Sequence, residues 1–232
     1  LLAQAYQHLG QFQEAIIEYK NLNIKKSTNK LIPFNFGLCL LEIGDNNSAF
    51  EAFQIAIKLD NSFVAAWGNL SIALTNEDRY KEALPITQKV LELDSNNATA
   101  YLKLGEIYKN LGQYDQALDA ILQFLQFQAD HPSAYRNLSA IYVELGQYAL
   151  ALEAILKSLE LQPDNPTAQM YLGGIYKNLG QLDEALVVTL KSLELEPDQA
   201  GAYMNLGGIY NDLGQHALAL KATLKSLELQ PD

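Results

Sequence analysis

Residues 98–131 read ATAYLKLGEIYKNLGQYDQALDAILQFLQFQADH. Tyr101, Leu104, Ile107, Tyr108 and Leu111 recur at intervals of three and four, which puts them on one face of a helix. Gly112 follows, and glycine after an apolar helix end supplies the left-handed backbone that stops a helix. Ala117, Ile121, Phe124 and Leu125 then mark a second apolar stripe. Two amphipathic helices joined by so short a turn make a helical hairpin.

The hairpin recurs along the chain. Gly37, Ser71, Gly105, Ser139, Gly173 and Gly207 are spaced 34 residues apart without insertion, and Ala3 falls in the same register. The turn returns as LGQF at 9–12, LGQY at 111–114 and 145–148, LGQL at 179–182 and LGQH at 213–216. Second helices run toward Pro163, Pro197 and Pro231, and proline cannot continue a helix. A fixed period of this length predicts an all-α solenoid of stacked helix-turn-helix units rather than a domain around one core. The units are a partial one at 1–29, then 30–63, 64–97, 98–131, 132–165, 166–199 and 200–232, read as a single array over 1–232. A start inside a first helix and a stop at Pro231-Asp232 suggest a longer natural protein.

Within each hairpin the small residues at 37, 71, 105, 139, 173 and 207 are expected to face Ala49, Ala83, Ala117, Ala151, Ala185 and Ala219, so that the two helices approach closely. Trp67, Tyr101, Tyr135 and Tyr203, with Tyr108, Tyr142, Tyr176 and Tyr210, are expected to fill the core beside them. Pro85, inside a second helix, removes the backbone bond to Lys81 and predicts a kink or a tightened turn.

Together these positions resemble the tetratricopeptide repeat signature. Its order of aromatic, Leu-Gly, Tyr, turn Gly, Ala, bulky residue, small residue and Pro appears as Tyr203, Leu206-Gly207, Tyr210, Gly214, Ala219, Thr223, Ser226 and Pro231. KSLELQPD at 157–164 and 225–232 and KSLELEPD at 191–198 show how closely the later repeats copy one another. The earlier ones depart from the pattern: Pro33 holds the aromatic slot, Asn61 the proline slot, and Asp78 the turn glycine. The resemblance implies a right-handed solenoid whose first helices line a concave groove and whose second helices form the outside.

The chain carries a formal charge of −11, which argues against a nucleic-acid footprint, since such domains usually carry a basic patch. Lys25-Lys26 with Lys30 is the longest basic stretch and reads as a solvated connector. No apolar run approaches a membrane span, and no signal peptide is evident. Cys39, the single cysteine, lies between Leu38 and Leu40 and reads as a packing residue, which fits a reducing, cytoplasmic protein. No catalytic constellation, metal-ligand spacing or cofactor motif is found; His8, His131 and His216 are far apart, and Asp183-Glu184 reads as charge complementing a helix N-terminus. The chain is therefore expected not to be an enzyme.

The slot two residues before the Gly/Ser marker holds Asn35, Asn69, Lys103, Asn137, Tyr171 and Asn205. Asparagine is a mediocre helix former, and its amide both donates and accepts. Such a row on a groove suits the one donor and one acceptor per residue of an extended peptide. It resembles the asparagine ladder in the repeat region of O-linked N-acetylglucosamine transferases and related bacterial proteins, interrupted here at Lys103 and Tyr171; the alternative is that each amide bonds a neighbouring helix or water. Lys103, Lys109, Arg136 and Lys177 meet Glu42, Glu106, Glu144 and Asp212 in groove slots, giving a near-neutral groove with a mild basic strip in the middle repeats. The Lys-and-Asn clamp by which some relatives grip chaperone C-termini cannot be traced.

Three functions fit. The first is a non-catalytic scaffold that binds a peptide segment of a partner protein in its groove, with Asn35, Asn69, Lys103, Arg136, Asn137, Tyr171 and Asn205 as contacts. The second is a substrate-recruiting part of a larger enzyme such as a glycosyltransferase. The third is end-to-end self-association, since Leu220, Leu224 and Leu227 lie on a last helix with no solvating cap.

Overall fold

The computed structural model describes residues 1–22, 24 and 27–230. Lys25, Lys26 and Pro231, which figured in the sequence reading, lie outside the described residues. The secondary structure among the described residues consists of α-helices in hairpin pairs: α1 (Leu2–His8) with α2 (Phe12–Asn21), α3 (Leu31–Glu42) with α4 (Asn46–Leu59), and α5 (Val64–Thr75) with α6 (Tyr80–Leu93). Then come α7 (Ala98–Asn110), α8 (Tyr114–Phe127), α9 (Pro132–Glu144) with α10 (Tyr148–Leu161), α11 (Pro166–Asn178) with α12 (Leu182–Leu195), and α13 (Ala200–Asp212) with α14 (His216–Leu229). The chain forms two compact units, Leu1–Ala120 and Ile121–Asp232.

Local chemistry sets the helix ends. After each first helix the glycine takes positive φ, +70° to +79° at Gly10, Gly44, Gly112, Gly146, Gly180 and Gly214. The next N–H then reaches back five residues, as from Gln113 to the Tyr108 carbonyl at 2.8 Å and from Gln215 to Tyr210 at 2.7 Å. Asp78, in the glycine slot, adopts the same left-handed backbone at φ 54°. Its carboxylate accepts from the Tyr80 hydroxyl at 2.6 Å, a local bond of the kind that lets Asp tolerate this region. Three first helices, α7, α11 and α9, start on side-chain caps: Asn97 Oδ1 accepts from Ala100 N at 3.0 Å, Asn165 Oδ1 from Ala168 N at 2.9 Å, and His131 Nδ1 from Ala134 N at 3.2 Å. His131, placed between repeats by the sequence, is thus a helix cap that also stacks edge-on against Phe124. Gln162 and Glu196, each before a proline, are extended at ψ 84° and 93°, as the proline ring requires. Pro85 leaves α6 running as one helix from Tyr80 to Leu93.

In the first unit Phe53 and Tyr19 are fully enclosed with Ala49, Ala52 and Leu40. Cys39 is buried there, and burial, with nearby Glu42, pushes its thiol up to about 11, so it packs rather than reacts. In the second unit Ile155, Leu172 and Ile175 form a core flanked by Tyr142 and Tyr176. The aromatic slots fill the core less completely than the sequence suggests. Trp67, Tyr101, Tyr108, Tyr135, Tyr142, Tyr176, Tyr203 and Tyr210 are all half-buried, and Trp67 Nε1 donates to the Asn61 carbonyl at 2.9 Å.

The close approach of paired helices is real, but its nearest partner differs from the expected alanine. A methyl group built on Gly173 would lie 2.2 Å from Thr189 Oγ1, and one on Gly207 2.6 Å from Thr223 Oγ1, whereas the carbonyls of Ala185 and Ala219 stand at 3.5 and 3.4 Å. The second unit also ties its hairpins through serine. Ser158, Ser192 and Ser226 donate to the carbonyls of Pro132, Pro166 and Ala200, 26 residues earlier, at 2.9, 2.7 and 2.9 Å.

Candidate functional site

The marker residues Gly37, Ser71, Gly105, Ser139, Gly173 and Gly207 are buried, and the residues two positions before them are all half-buried. Helical spacing therefore turns the small residue toward the second helix and sets its neighbour at the edge of the packed interface. Successive first helices touch, α3 with α5 in the first unit and α11 with both α9 and α13 in the second. Each unit thus presents its own row of first-helix side chains.

In the first unit the row holds Asn35, Asn69 and Lys103. Asn35 lies within reach of the Tyr19 hydroxyl, which donates to Gln7 Oε1 at 3.0 Å. Asn69 Nδ2 donates to the Ala65 carbonyl one turn earlier at 2.8 Å. Lys103 Nζ pairs with Glu106 Oε2 at 2.7 Å, neutralising the two charges against each other. In the second unit Arg136 and Asn137 stand on α9 with no side-chain hydrogen bond among the described residues. Tyr171 packs against the Ile155 and Leu172 core and so serves the fold as well as the surface. Asn205 Nδ2 donates to the Met170 carbonyl on α11 at 2.9 Å, joining adjacent repeats.

The row is therefore chemically uneven. Asn69 and Asn205 each use one amide hydrogen internally and retain the second and the carbonyl oxygen; Asn137 retains all. Among the described residues no group of three or more His, Cys, Asp or Glu is placed to hold a metal ion, and no helix is long and apolar enough to cross a membrane. Away from this row, a cleft of about 720 Å³ opens on the last hairpin, lined by Tyr203, Leu206 and Tyr210 of α13 and by Leu220, Lys221 and Leu224 of α14. A second, narrower opening lies between α5, α6 and α7. The sequence reading missed it, although Gly68 stands where the other repeats carry larger residues.

Tetratricopeptide repeat profiles match residues 34–98, 74–142, 132–165, 168–199 and 200–232. The solved structure of YrrB, described as a TPR protein with an unusual peptide-binding site, is 31% identical, with 79% of this chain and 94% of YrrB aligned at a TM-score of 0.59. The chain is a tetratricopeptide repeat protein. MamA is similar at 25% identity over 69% of this chain and 94% of that one, with a TM-score of 0.58. A chain of the APC/C hetero-tetramer Cut9-Hcn1 shares the fold at a TM-score of 0.81 and 17% identity, over 99% of this chain and 46% of that one. No curated protein gives a significant match. As a tetratricopeptide repeat protein, the chain is an α-solenoid of helical repeats and a protein-interaction scaffold.

Proposed function

We propose that the scaffold takes a peptide segment of a partner protein along the first-helix faces, in a concave groove, without catalysis of its own. In this reading residues 1–232 work as one array of repeats, and Asn35, Asn69, Lys103, Arg136, Asn137, Tyr171 and Asn205 contact the peptide. The observation that carries it is the half-exposed row of amides, above all Asn137, whose donors and acceptor are all uncommitted among the described residues. The similarity to YrrB, a repeat protein described by its peptide-binding site, supports the same mode. The test is a pull-down with the purified array, wild type against Asn137→Ala, with circular dichroism as the control for folding. Asn137 is the cleaner probe, because Asn205→Ala also removes a bond between α11 and α13. Loss of a partner with an unchanged melt supports the reading; retention of every partner by the variant removes Asn137 from the site.

A second reading, self-association, is favoured by the cleft on the last hairpin, where Leu220 and Leu224 are 62% and 57% exposed. Apolar patches of this kind mark contacts with other chains. Sedimentation velocity on wild type and Leu220→Glu/Leu224→Glu decides it: concentration-dependent growth lost in the variant supports it, and a strict monomer at high concentration ends it.

A further inference from the structure

The opening between α5, α6 and α7 encloses about 190 Å³ within the first unit. Its near wall is one stripe of α5, Ala65, Gly68, Asn69 and Ile72, at the i, i+3, i+4, i+7 spacing of a single helix face. Thr99 and Lys103 of α7 form the opposite lip, and Thr87 and Val90 of α6 the floor. Asn69 and Lys103 are two of the residues assigned to the peptide groove, so the opening faces the same side as that groove.

Gly68 creates the space. A methyl group built there meets nothing within 4 Å. The equivalent slot, three residues before the marker, holds Phe34, Leu102, Arg136, Met170 and Met204 in the other repeats. Here alone that slot has no side chain, although glycine is a poorer helix former than alanine. Packing does not demand it, in contrast to Gly37, where an added methyl would strike the Phe53 ring at 2.6 Å.

Most polar groups around the opening are engaged within the protein. Thr87 Oγ1 donates to the Ala83 carbonyl at 2.9 Å and accepts from Ser71 Oγ at 2.5 Å. Asn97 caps α7 through Oδ1 and donates through Nδ2 to Asp94 at 3.0 Å. Asn69 donates one amide hydrogen to the Ala65 carbonyl and Lys103 pairs with Glu106, which leaves the second Asn69 hydrogen, its Oδ1 and the exposed Thr99 hydroxyl at the rim. Inside that rim the lining is the hydrocarbon of Val64, Ala65, Ile72, Val90 and Ala100. An apolar cavity of about 150 Å³ is known to stay dry and accept benzene, so this space suits one leucine- or phenylalanine-sized side chain.

We propose that the Gly68 pocket receives a single large apolar side chain of the partner peptide and so sets the specificity of this part of the groove. The proposal rests on the peptide-binding reading, but its test needs no peptide and reads only amides of the first unit. The probes are N-acetyl-leucine amide and N-acetyl-phenylalanine amide, with N-acetyl-serine amide as the polar control. They are titrated into ¹⁵N-labelled full chain and followed by amide chemical shifts. The expected result is saturable shifts confined to Ala65, Ile72, Thr99 and Ala100 with an apolar probe, no saturable shift with serine, and at least tenfold weaker binding to Gly68→Leu. Ala65→Met, which narrows the mouth from the rim, weakens binding in parallel should Gly68→Leu disturb the helix. No saturable shift in wild type, equal binding by the serine probe, or unchanged binding by both variants overturns the proposal. Apolar binding here with Asn137→Ala inert in the pull-down leaves the pocket standing and refutes Asn137 as a peptide contact; the reverse pattern refutes the pocket alone.

Discussion

Replacing Gly37 by alanine tests whether packing between paired helices, rather than helix propensity, governs the marker position. By propensity alone the change favours the helix by about 1 kcal/mol. The added methyl, however, would sit 2.6 Å from Phe53 Cε1 and 2.9 Å from Cδ1 and Cζ. Carbon atoms rest about 3.5–4.0 Å apart, so the ring must retreat by roughly 1 Å. Phe53 is fully buried and packs tilted at 5.9 Å against Phe34, which itself packs tilted at 4.8 Å on Phe63, so its retreat must displace packed neighbours. Overpacking of a dense core costs about 1–3 kcal/mol. The net expectation is a loss of about 1 kcal/mol. Gly68→Ala is the matched control, with open space around the new methyl, and is expected to gain about 1 kcal/mol. The two variants should therefore differ by about 2 kcal/mol in opposite senses. Because repeat arrays sum local and nearest-neighbour terms, the readout is native-state hydrogen exchange of α3 and α4 amides, with urea midpoints of the full chain beside it. A Gly37→Ala chain as stable as Gly68→Ala would refute the packing argument.

Three further outcomes are expected. The Asp60 carboxyl, bonded by Lys30 and by the Ser62 hydroxyl and N–H at 2.7 and 2.9 Å, is held down at about 2; its stabilisation is complete above the ordinary carboxylate range and lost as pH falls through about 2. The urea midpoint of Asp60→Asn should accordingly trail wild type at pH 7 and converge with it toward pH 2. Tyr80, donating to Asp78, is pushed up to about 12, so its contribution holds at neutral pH and is lost as pH rises through about 12; Asp78→Gly should return one late-titrating tyrosine toward its ordinary value in a spectrophotometric titration, and an unchanged late phase would dissociate Tyr80 from it. Ser158→Ala removes the hydroxyl that bonds the Pro132 carbonyl and should cost about 1 kcal/mol by chemical denaturation.

Much of the fold was legible because its determinants are local. The glycine turns and the prolines at 163 and 197 act within a few residues of themselves, and the helices end where those signals stand. Even the departure at Asp78 was visible as an exception, since its left-handed backbone follows from its place in the turn. The candidate row was legible only as a list of positions: register put Asn35, Asn69, Lys103, Asn137, Tyr171 and Asn205 in equivalent slots without saying what each one touches.

The sequence by itself determined the repeat, the helix pairs and the family. Tertiary structure alone decided which equivalent positions are equivalent in physics. Asn69 turns back on its own helix, Asn205 crosses to α11, and Asn137 stays uncommitted. Gly37 is pressed against Phe53 while Gly68 faces open space. The serine bonds span 26 residues and the Asn205 bond 35. Such contacts depend on side chains brought together from different helices, and a pattern with a period of 34 residues carries the spacing of those helices but not the shape of the gap between them.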